Sequence, residues 1–142
     1  MQRQWIFLGA ILAALAVALG AYHAHGLEGI LSPVYGDDPE LLDRRMGNWG
    51  TAALYQMHHS IALILVGLVT LARPGKWLAA AGWCFVVGIL LFSGMLYVLA
   101  LTDTRVLGAI VPIGGVSFIL GWICLALGGC CISCPSKLTE LK

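Results

Sequence analysis

Charged side chains cut this chain into four long apolar stretches. No Asp, Glu, Lys or Arg occurs from Gln4 to Ala24, Gly47 to Ala72, Trp77 to Thr102 or Val106 to Ser136. A helix crosses a bilayer with ~20 mostly apolar residues, so each stretch is long enough. The pattern predicts an all-α integral membrane protein, a four-transmembrane-helix bundle with spans at about 4–23, 51–72, 77–101 and 106–131. Residues 1–142 are read as one membrane domain, with 24–50 as a loop on one side. A secretory signal peptide is the rival reading of the first stretch, since Arg3 precedes it and Ala18-Leu19-Gly20-Ala21 resembles a cleavage site. The apolar run from Trp5 to Tyr22 is longer than the ~7–15 residues of a signal core, which favours a span.

Small residues mark the faces on which the helices are expected to meet. In lipid, close backbone approach supplies the dispersion contacts that hydrophobic driving force supplies in water. Gly9, Ala13, Ala16 and Gly20 share one face of the first span; Gly82, Gly88 and Gly94 lie on the third; Gly114, Gly121 and Gly128 recur every seventh residue on the fourth. Pro112 is expected to kink or unwind the start of the fourth span. In the loop, Ser32-Pro33 and Asp37-Asp38-Pro39 are turn and helix-start signals. Glu40 to Met46 is expected to form a short interfacial helix, with Leu41, Leu42 and Met46 on lipid and Asp43, Arg44 and Arg45 in water. Trp49 suits the headgroup belt.

Composition fits this picture: 60% of the residues are hydrophobic and 11% charged, and the net charge is +1. No basic run points to a nucleic-acid partner. The flanks set an expected orientation. One side holds Arg3, Arg73, Lys76, Lys137 and Lys142 against Glu140, and the other holds Arg44, Arg45 and Arg105 against six acids from Glu28 to Asp103. The positive-inside rule then places both termini in the cytoplasm. Cys84, Cys124, Cys130, Cys131 and Cys134 all fall toward that side, where thiols stay reduced. The C-x-x-C at Cys131 and Cys134 lacks a second ligand pair for structural zinc, and the tail from Pro135 to Lys142 is expected to fray.

All four histidines fall toward the opposite, outer side. His58 and His59 lie inside the second span, roughly 12 Å below its start for His59, where an unpaired polar side chain is costly. Counting along neighbouring spans brings Ser93, Gly114 and Gly115 to a similar level, with Tyr97 and Pro112 about a turn higher. Three readings stay open. His59 bonds Ser93, Tyr97 or a carbonyl freed by Pro112 and only fixes packing; or His23, His25, His58 and His59 hold copper or zinc, with Met57 as a soft extra ligand; or His59 titrates and binds a headgroup or small polar ligand.

The segments Leu19-Gly20-Ala21-Tyr22-His23-Ala24-His25-Gly26-Leu27, Tyr55-Gln56-Met57-His58-His59 and Phe92-Ser93-Gly94-Met95-Leu96-Tyr97, continuing through Pro112-Ile113-Gly114-Gly115 to Gly121-Trp122, carry a resemblance. The chain resembles the small multi-pass membrane proteins of the domain of unknown function 423 family, which include the transmembrane protein 256-like proteins. His25 and His59 fit that family's pattern, whereas Tyr22-His23 stands where Phe-Gly is usual and His58 where an aromatic is common. The resemblance implies the fold and a multi-pass location in a bacterial inner membrane or an equivalent organelle membrane, but no reaction. It makes His25, Tyr55, Gln56, His59, Ser93, Tyr97, Pro112, Gly114 and Gly115 the candidate ligand-binding residues.

No nucleophile elbow, phosphate loop, dinucleotide fingerprint or paired-carboxylate site is present. The expected function is therefore non-enzymatic: a binding or accessory component in the lipid bilayer, alone, as a homo-oligomer or within a larger membrane complex. A copper- or zinc-binding protein is the alternative, and a small transporter or pore subunit formed on oligomerisation is the second.

Overall fold

The computed structural model describes residues 2–102 and 104–130. Among these the elements are α1 (Gln2–His25), α2 (Leu27–Tyr35), α3 (Pro39–Ala72), α4 (Lys76–Gly88), a π-helical segment (Ile89–Gly94), α5 (Met95–Leu101), a 3₁₀ segment (Arg105–Ala109) and α6 (Val111–Cys130). Four helices are long and apolar enough to cross a membrane: Arg3–His25, Pro39–Ala72, Lys76–Leu101 and Val106–Cys130. The four-helix membrane architecture read from the sequence is the one found. The tail with Cys131 and Cys134 lies outside the described residues.

The connection at 24–50 is the main correction, for it is largely helical. Asp38 caps α3 by accepting from the Leu41 amide at 3.0 Å, and Pro39 fills the first turn, where its missing N–H costs nothing. From there α3 runs without a break for 34 residues, about 51 Å, against ~30 Å of hydrocarbon. The helix is thus longer than a single crossing needs. The separate interfacial helix at Glu40 to Met46 does not form. Buried positions explain why: Arg45, Trp49, Ala52, Gln56, His59, Leu63, Val66 and Thr70 alternate steps of four and three, so one seam faces the other helices along the whole length.

Arg45 sits on this seam and not in water, and Trp49 lies on the seam with it. Arg45 is 3% exposed, and its Nη1 donates to the carbonyls of Leu99, Ala100 and Thr102 at 3.2, 3.1 and 2.8 Å. Those carbonyls end α5, where intrahelical donors have run out and the helix dipole is negative. The guanidinium also lies 3.9 Å over the Tyr35 ring, tying α2 to the same corner. Trp49 donates to the Leu19 carbonyl at 2.9 Å, and its ring packs against Tyr22 and Tyr97. Leu27 and Leu31 of α2 close this upper cluster.

Below it, the spans meet through glycines much as their spacing predicts. A Cβ on Gly9 would lie 2.7 Å from the Ser60 carbonyl oxygen. Cβ atoms on Gly82 and Gly88 would strike Trp5 and Phe118, and those on Gly121 and Gly128 would strike Phe85 and Leu78. Gly20 and Gly94 make no such close approach. Phe85, Leu63, Val66 and Leu78 form the buried centre of the bundle. The kink expected at Pro112 is replaced by two features. The 3₁₀ segment leads the chain in, so that Pro112 falls in the first turn of α6, and the irregularity of the bundle lies instead in the third span, at the π segment. That wide turn inserts one extra residue, rotating the remainder of the span by about 100°.

Candidate ligand groove

The π segment, α3 and α6 enclose a lateral groove of about 660 Å³ lined chiefly by Tyr55, His58, His59, Phe92, Phe118 and Trp122. It lies about 20 Å from the Ala72 end of α3, in the half of the bundle nearer α2. Phe92 enters it from the π segment and meets Tyr55 at 4.6 Å between ring centroids. Gly114 allows this approach, because a Cβ there would come within 2.5 Å of the Phe92 amide nitrogen.

His59 forms the floor and is 5% exposed. Its Nδ1 lies 2.8 Å from the Tyr55 carbonyl oxygen, which only accepts, so Nδ1 carries the hydrogen. Nε2 is then free to accept, and the Trp122 indole N–H donates to it at 3.3 Å. The imidazole also lies against Phe118, with centroids 3.4 Å apart and planes at 8°. Both nitrogens and one face are thus occupied. The sequence expectation that a buried histidine here is answered by hydrogen bonds holds, but its partners are not Ser93, Tyr97 or a carbonyl freed by Pro112.

The other candidates divide. Tyr55, His59, Pro112 and Gly115 line the groove, and Gly114 supports it from behind. Gln56 and Tyr97 belong to a different network inside the bundle: the Tyr97 hydroxyl donates to Gln56 Oε1 at 3.0 Å, and Gln56 Nε2 donates to the Leu12 carbonyl at 2.9 Å. Ser93 is fully buried in the π segment, and its Oγ has no hydrogen-bond partner. No bond joins it to Tyr97, whose hydroxyl is turned to Gln56. His25 is exposed at the end of α1.

The histidines do not gather. His23 packs beside Gly50, whose Cβ would lie 3.1 Å from His23 Cε1. His58 and His59 lie about 12 Å further along α3. Among the described residues no group of three or more His, Cys, Asp or Glu side chains is placed to hold a metal ion. Phe118 and Trp122, which complete the groove, were not anticipated as site residues. Trp122 is an indole in an apolar span, and its N–H demands an acceptor at that depth; His59 is the polar side chain that answers it.

His58 differs from its neighbour. It lies on the groove and is exposed, and neither its ring nor the Tyr55 hydroxyl is hydrogen-bonded to another described residue. The groove can therefore offer an aromatic wall, an imidazole and a phenol to something lying beside the helices.

Four apolar spans joined through glycine and aromatic contacts, with a side groove at membrane depth, define a small multi-pass membrane protein. The chain belongs to the family described as protein of unknown function (DUF423), whose model matches residues 19–115. It is 47% identical to a UPF0382 membrane protein of Staphylococcus epidermidis over 125 residues, covering 87% of this chain and 92% of that protein. It is 42% identical to the UPF0382 membrane protein YwdK of Bacillus subtilis over 125 residues, covering 87% and 93%. No solved structure matches the chain.

Proposed function

We propose that this protein is a non-enzymatic binding component of a bacterial membrane, oriented with α2 and the start of α3 outside, whose lateral groove receives a membrane-resident amphiphile. One observation carries the reading: His58 presents an unbonded imidazole on an aromatic groove, within a span, where polarity without a partner is expensive. His59 acts as a fixed wall because its own hydrogen-bonding capacity is spent on Tyr55 and Trp122. The polar part of the ligand bonds His58 and the Tyr55 hydroxyl, and its apolar part lies along Phe92 and Phe118. A ligand inside a larger assembly, or contributed by one, fits the same groove.

Native mass spectrometry of gently solubilised protein tests this. The wild-type chain should retain a discrete adduct that His58→Leu loses while keeping its melting temperature. Retention of the same adduct by the variant would refute the assignment. Elemental analysis of the same sample addresses the copper or zinc alternative, which requires stoichiometric metal.

A further inference from the structure

A second groove lies at the opposite end of the bundle, between α1 and α4. Its volume is about 510 Å³ and its lining is Arg3, Gln4, Trp5, Phe7, Leu8 and Trp83. Trp5 forms its base, 7% exposed and edge-on to Trp83 with centroids 5.5 Å apart. Phe7 and Trp83 stand open along it, 70% and 61% exposed. A cleft of this composition takes a hydrocarbon chain.

The depth of Arg3 says what such a chain would carry. Trp5 packs against Gly82, where an added Cβ would lie 2.7 Å from the indole. Counting back from this contact at ~1.5 Å per residue, Lys76 lies about 9 Å nearer the end of the bundle and Arg3 only about 3 Å. The start of α1 is therefore recessed by roughly 6 Å relative to that of α4, which sets Arg3 deeper along the bundle than Lys76. The contact of Gly9 with Ser60 and Ile64 gives a similar offset against the Ala72 end of α3. An exposed cation at that level is stabilised by reaching the headgroups and finding an anion there. No carboxylate of the described residues is available, since Glu28, Asp37, Asp38, Glu40 and Asp43 all belong to the far end of the molecule. Lys76 is set apart, with its ammonium 5.7 Å from the centroid of the Trp77 ring.

We infer that this groove is a binding site for one anionic diacyl phospholipid, with Arg3 on the phosphate and an acyl chain lying along Phe7 and Trp83. A basic pocket between spans beside an apolar cleft matches both parts of such a lipid. The site is independent of the His58 groove and rests on different residues.

The test is native mass spectrometry of the full chain in mixed micelles with equal phosphatidylglycerol and phosphatidylcholine. Wild-type protein should retain phosphatidylglycerol in preference, and Arg3→Gln should reduce that preference about five-fold, the weight of one cation at an anionic surface. Lys76→Gln, removing a charge at the same end but outside the groove, should leave it nearly unchanged. Equal retention of the two lipids by the wild type, or equal losses in the two variants, would overturn the site. Arg3 is exposed at the start of α1, so matched melting temperatures are expected, and a lowered one with an intact lipid preference would also count against the proposal.

Discussion

The imidazole of His59 lies flat on the ring of Phe118, centroids 3.4 Å apart, while Tyr55 and Trp122 hold its two nitrogens. Its hydrogen bonds and its volume make separable contributions. Hydrogen bonds between transmembrane helices average ~0.6 kcal/mol, whereas truncating a buried ring costs ~3–5 kcal/mol. Trp122→Phe should thus lower unfolding free energy by under ~1 kcal/mol, and His59→Ala by about 2–4 kcal/mol, in denaturant titrations of the solubilised protein. Equal losses would mean that the 3.3 Å bond, not the packing, dominates.

Arg45 holds the end of α5 to α3. Arg45→Leu leaves the carbonyls of Leu99, Ala100 and Thr102 without this charged donor, an interaction of ~1.5–3 kcal/mol. Amide exchange over Met95–Leu101 should accelerate while exchange in α6 stays slow. Uniform acceleration would show that the corner stabilises the whole bundle and does not act locally.

Gly114 and Gly115 are adjacent, yet only one is sterically required. An added Cβ on Gly114 meets backbone, 2.5 Å from the Phe92 nitrogen and 2.8 Å from the Leu91 carbonyl carbon, and backbone yields little. On Gly115 the nearest atom is 3.9 Å away. Gly114→Ala should destabilise by ~1–3 kcal/mol and Gly115→Ala by less than ~0.5, read from thermal melts. The reverse order would contradict the packing of α6 on the π segment.

Ser93 gives the opposite sign. Its buried Oγ lacks a partner, so Ser93→Ala removes an unsatisfied hydroxyl and should be neutral or stabilising by up to ~1 kcal/mol. A loss of stability above that would reveal a bound molecule at the π segment.

The spans were legible because a bilayer imposes length and apolarity on each helix independently, and the glycine spacings on α6 follow from the same requirement for close contact. The features that lay hidden depend on pairing across distance. Arg45 reads as solvated beside Asp43 and Arg44, since the carbonyls that bind it lie more than fifty residues away. The signal was nevertheless present in the alternating steps from Arg45 through Trp49 and Gln56 to Thr70, which continue the buried seam beyond the apolar stretch. His59 was given the wrong partners, because counting along the spans fixes which neighbours are level and not which way they turn. The π segment has no proline to announce it.

Density in the groove of the full protein, reconstituted in lipid nanodiscs and imaged by electron microscopy, is the most direct measurement. An elongated ligand should run along Phe92 and Phe118 with its polar end within hydrogen-bonding distance of His58. A groove closed by repacked side chains, or one filled only by lipid tails with His58 turned away, would contradict the proposed binding role.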